Sequence, residues 1–61
     1  MFVIHCERLG GYVLKTGGWN LPVRSPWDAT KFETREEALA ARPGHGREMG
    51  GSGYHGTVHK L

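Results

Sequence analysis

The clearest local signal in this chain is a helix, and it is bracketed tightly. In "ATKFETREEALAARPG", Thr34 stands where a helix N-cap belongs, with Glu37 three residues later. That spacing predicts a capping box, in which Glu37 reaches back to the backbone of the cap. Glu36 and Glu37 fall in the first turn, where the helix dipole favours negative charge. Arg42 lies at the far end, and Pro43-Gly44 stops the run. Ala38, Leu39 and Ala41 form the apolar stripe, so the helix has about two turns and needs a sheet to lean on.

The rest of the chain alternates or breaks. In "FVIHCER", Phe2, Ile4 and Cys6 share one face and Val3, His5 and Glu7 the other, which predicts a strand with one buried face. "LGG" supplies a turn and "YVLKT" resumes the strand, so residues 2–16 read as a β-hairpin ended by Gly17 and Gly18. "WNLPVRSPWD" reads as a loop or irregular edge segment, because Pro22 and Pro26 restrict the residues before them. "ATKF" is expected to add at most a short edge strand. Residues 44–53, with five glycines, read as a flexible connection. "YHGTVHKL" then alternates as a closing strand, with Tyr54 and Val58 inward and His55 and His59 outward.

The expected fold is therefore α+β, in the order ββαβ: a hairpin, one short helix on a small antiparallel sheet, and a C-terminal strand. Sixty-one residues allow a single domain, 1–61. Such a chain buries only about 60% of its unfolded surface. Its core then supplies about 3–5 kcal/mol, which leaves little room for a deep catalytic pocket.

Several kinds of chemistry are disfavoured. On a strand, His55 and His59 stand about 13 Å apart, too far to share one ion. With no CxxC pair and a lone Cys6, neither a zinc site nor an internal disulfide is expected. Cys6 belongs to the buried strand face and reads as inert. "GHGREMG" follows a helix and is one residue too long for a dinucleotide fingerprint. No catalytic residue, cofactor or metal is expected. No run approaches the roughly 18 apolar residues of a membrane helix, and "MFVIHCERLGG" is not a signal peptide. A soluble, cytoplasmic protein is the expectation.

Partner binding remains. Trp19 and Trp27 either fold back as lids over the core or stand out as anchors beside Arg24, since Trp and Arg are enriched at binding hot spots. Lys31 and Arg35, near the helix start, join Trp19, Arg24 and Trp27 as candidate partner-binding residues. The eight Lys and Arg are scattered and the formal charge is +2. That balance permits nucleic-acid contact without demanding it. The chain is expected as a monomer or a homodimer.

Two stretches carry a resemblance. "ATKFETREEALAA" resembles an Ala-x-x-Phe-x-Thr-x-Glu-Glu-Ala segment of small phage and prophage proteins, where a hairpin precedes and a strand follows. "YHGTV" is similar to a Phe-His-Gly-Thr-Val run after a helix in the phage-encoded anti-CRISPR family acting on type I-F systems. The resemblance covers about a third of the chain. It implies a non-catalytic inhibitor that binds a host CRISPR-Cas effector complex and blocks target DNA binding or cleavage. The alternative is a small nucleic-acid-binding phage accessory protein with a diffuse basic face.

Overall fold

Four strands and one short helix make up the computed structural model, which describes residues 1–43 and 56–61. Strands β1 (Phe2–Cys6), β2 (Gly11–Thr16), β3 (Trp19–Val23) and β4 (Thr57–Lys60) form one antiparallel sheet in the order β3-β2-β1-β4. Between β3 and β4 come a 3-10 turn (Pro26–Asp28) and the helix α1 (Arg35–Ala40). The class is α+β, as the residue pattern predicts. The expected glycine-rich connection at 44–53, and Tyr54 and His55, lie outside the described residues.

The third strand departs from expectation. Gly17 and Gly18 both have positive φ and close a two-residue turn, so the chain doubles back and Trp19 pairs with Thr16. Pro22 does not prevent this. Val13 and Lys15 turn their backbone groups away from β3, toward Thr30, so Tyr12, Leu14 and Thr16 bond to β3. Pro22 and Asn20 then turn theirs to the sheet's outer edge. A missing N–H is harmless there.

β1 and β2 pair only at His5–Tyr12 and Cys6–Gly11 and then splay. The residues before α1 fill the fork. Thr30 N donates to Val13 O at 3.1 Å, Lys15 N donates to the Thr30 hydroxyl at 2.8 Å, and Phe2 and Phe32 exchange two backbone bonds. The expected "ATKF" edge strand is thus an internal wedge. It sits between strands because β1 needs a partner where β2 has moved away.

Ile4, Cys6, Val13 and Ala38 form the buried cluster, with Phe2, Leu9, Phe32, Ala41 and Val58 packed around it. All of the strand members lie on one face, where α1 docks through Ala38. Val3 is also fully buried, although it belongs to the opposite face. β1 is therefore buried on both sides at that point, not on one. Leu39, expected in the helix stripe, stands at the surface with 36% exposure. Consecutive helical residues point about 100° apart, so the orientation that buries Ala38 against the sheet turns Leu39 toward the rim.

The cap forms with one difference. Thr34 Oγ1 accepts from Glu37 N at 3.1 Å, as predicted, while the hydroxyl donates to Glu37 Oε1 at 3.2 Å. Glu37 therefore bonds the side chain of the cap and not its backbone. Arg42 Nε closes the other end by donating to Leu39 O at 3.2 Å. β4 reaches β1 across Gly56, whose φ is +120°. A Cβ there would lie 2.8 Å from Ile4 Cγ2, so only glycine permits this approach.

Candidate partner-binding surface

Ser25 starts the 3-10 turn that carries Trp27. Its hydroxyl accepts from Trp27 N at 3.2 Å, its carbonyl accepts from Asp28 N at 3.1 Å, and Pro26 presets the first turn residue. Lys31 Nζ folds back to donate to the Trp27 carbonyl at 2.5 Å and to the Ala29 carbonyl at 3.4 Å. The turn backbone is thus held from both sides, while the indole of Trp27 is 67% exposed. Arg24, just before the turn, and Arg35, opening α1, are also exposed.

Trp19 occupies a different place. It closes the β2–β3 turn and is 73% exposed, with Lys15 Nζ bonded to the neighbouring Asn20 Oδ1 at 2.9 Å. The length of β3, about 13 Å, separates it from the end where Arg24 and Trp27 follow. The five candidate residues therefore divide. Trp27 and Lys31 share one turn with Arg24 beside it, Arg35 opens the helix, and Trp19 stands alone at the hairpin tip. Neither tryptophan is a lid over the core. The reason is physical: Phe2, Phe32 and Leu9 already cover the small cluster.

A second grouping escaped the residue pattern. His5, Tyr12 and His59, from three strands, bring their rings together on the sheet face opposite α1. Ring centroids lie 4.8 Å apart for His5–Tyr12 and 6.3 Å for both His5–His59 and Tyr12–His59, with near-perpendicular planes. His59 Nε2 also shares a 2.8 Å hydrogen bond with Thr57 Oγ1. Edge-to-face contact of this kind covers a sheet surface. The signal was present only in the pairing register, which brings His5 opposite both Tyr12 and Thr57.

A hollow of about 220 Å³, lined by His5, Glu7, Arg8, Gly56 and Thr57, is smaller than the roughly 300–1,000 Å³ of small-molecule pockets. Among the described residues, no group of three His, Cys, Asp or Glu side chains is placed to hold a metal ion. Cys6 is free and buried. No helix among the described residues is long and apolar enough to cross a membrane. No protein-family model, curated protein or solved structure matches the chain.

Proposed function

We propose that this chain is a non-catalytic inhibitor that binds a protein partner through the Trp27 turn, with Arg24 and Lys31 beside it and Arg35 at the start of the helix. In its specific form the partner is a host CRISPR-Cas effector complex, and the chain is a phage-encoded anti-CRISPR that blocks target DNA binding or cleavage in the host cytoplasm. One observation carries the binding role. Both tryptophans of a 61-residue chain are mostly exposed, at 67% and 73%, although its core is small enough to gain from either. Large apolar side chains left in water on a pinned backbone are what a binding hot spot requires. The specific form rests on the "YHGTV" and "ATKFETREEALAA" resemblances.

The test is co-elution of the purified chain with purified type I effector complexes. Stoichiometric binding that Trp27→Ala abolishes is the expected result. Failure to bind across several subtypes would reject the specific form. The second reading, nucleic-acid binding, is favoured by Arg24 next to the turn of an exposed indole. It requires affinity for DNA that falls steeply with salt. Indifference to DNA at low salt eliminates it.

A further inference from the structure

We propose that His5 and His59 form a two-histidine site for a late first-row divalent metal ion, which ties strand β4 to β1. Histidines four apart along one strand stand too far apart to share an ion. The pairing register supplies a closer couple from two strands: His59 lies opposite Val3, and His5 lies opposite Thr57. His5 and His59 are therefore diagonal neighbours on one face, a spacing that aromatic side chains bridge. Both stay open to solvent, His59 exposed and His5 half-buried.

The ring separation fits a shared ion. An imidazole nitrogen binds at about 2.0 Å from the metal, and the ring centre lies about 1.1 Å further on. Two rings on one ion then have centroids about 4.4 Å apart when cis and about 6.2 Å apart when trans. The observed 6.3 Å stands at the trans limit, so ring rotation closes the site without moving the backbone. Trans imidazoles belong to tetragonal coordination, which Cu²⁺ and Ni²⁺ favour.

The surroundings support both ligands. Thr57 Oγ1 lies 2.8 Å from His59 Nε2. A hydroxyl that accepts from Nε2–H leaves the Nδ1 lone pair for an ion and orients the ring, as outer-shell partners of metal-bound histidines do. Tyr12 packs edge-to-face on His5 at 4.8 Å and steadies that ring. The hollow of about 220 Å³ beside His5 and Thr57 has room for coordinating waters. Its two charged lining residues, Glu7 and Arg8, are opposite in sign, so it does not repel a cation as a whole.

Two protein nitrogens make a weak site, completed by water. What the ion adds is a cross-link. β4 is an edge strand of four residues whose strand partner is β1. An ion held by one histidine from each strand stabilises the folded chain by mass action.

The experiment titrates the full chain with CuCl₂, NiCl₂ or ZnCl₂, read by isothermal calorimetry and thermal denaturation. One ion per chain is expected, with Cu²⁺ bound more tightly than Ni²⁺ or Zn²⁺. The denaturation midpoint should rise by about 5 °C or more once free ion exceeds its dissociation constant about tenfold. His5→Ala and His59→Ala should each weaken binding at least about tenfold, since even outer-shell losses cost that much. Each should also remove the midpoint shift, while the double variant His45→Ala with His55→Ala should keep both. His59 is exposed, so His59→Ala keeps the circular dichroism of the native fold and decides the matter even where His5→Ala does not fold. No binding at millimolar ion, or binding that survives His59→Ala, would overturn the proposal. Loss of binding in the double variant would overturn it as well.

Discussion

Phe2 and Phe32, thirty positions apart, exchange both of their backbone hydrogen bonds, each 2.8 Å long. This bridge ties the segment before the helix into the fork between β1 and β2, and it delivers the Phe32 ring to the core cluster. It joins the fold's two halves: the strands at the N-terminus and the helix that must lie across them.

Phe32→Ala should therefore cost more than its partial burial suggests. Removing a packed phenylalanine costs about 3–5 kcal/mol in well-buried sites, and about 2–3 kcal/mol is expected here. A core supplying about 3–5 kcal/mol in total barely tolerates that. Urea denaturation should show the stability of the variant cut by about half or more; a loss below about 0.5 kcal/mol would show that the Phe32 ring is dispensable.

Gly56→Ala tests the approach of β4 to β1. The new methyl would meet Ile4 Cγ2 at 2.8 Å and His5 O at 3.2 Å, with φ in a region L-residues avoid. Overpacking and strain together should cost about 2–4 kcal/mol. Thermal denaturation reads this directly, and an unchanged midpoint would contradict the placement of β4.

Thr34→Ala removes the hydroxyl that accepts from Glu37 N. The expected loss is about 1 kcal/mol, while Thr34→Ser or Thr34→Asp should retain most of the stability. A six-residue helix has no propensity reserve to offset a lost cap. Equal stability of the Ala and Ser variants would show that the cap contributes nothing.

Trp27→Ala should separate binding from folding. The exposed ring contributes within about 0.5 kcal/mol to stability, whereas loss of a hot-spot tryptophan costs at least about 2 kcal/mol in affinity. Equal denaturation midpoints with at least about thirtyfold weaker partner binding is the expected pair of results. A large stability loss would return Trp27 to the role of a lid.

What the residue pattern reveals is local. Thr34, Glu37 and Pro43 mark the helix within ten positions, because capping is chemistry between neighbours. The hairpin and closing strand follow from alternation in the same way. β3 was hidden because Pro22 forbids a central strand but not an edge one, and only the pairing with Tyr12–Thr16 decides which it is. The Phe2–Phe32 wedge and the burial of Val3 depend on contacts far apart in the chain, which periodicity cannot carry. For the candidate site, the residue types were legible but not their grouping. The same two tryptophans fit lids or anchors until Phe2, Phe32 and Leu9 are seen to cover the core.

The most direct test of the central claim mixes the chain with a purified type I CRISPR effector complex and titrates target DNA capture. DNA capture should fall to background at a fixed stoichiometric ratio, and Trp27→Ala should restore it. Undiminished DNA capture at a large excess of the chain, with no co-elution across subtypes, would contradict the proposed inhibitor role.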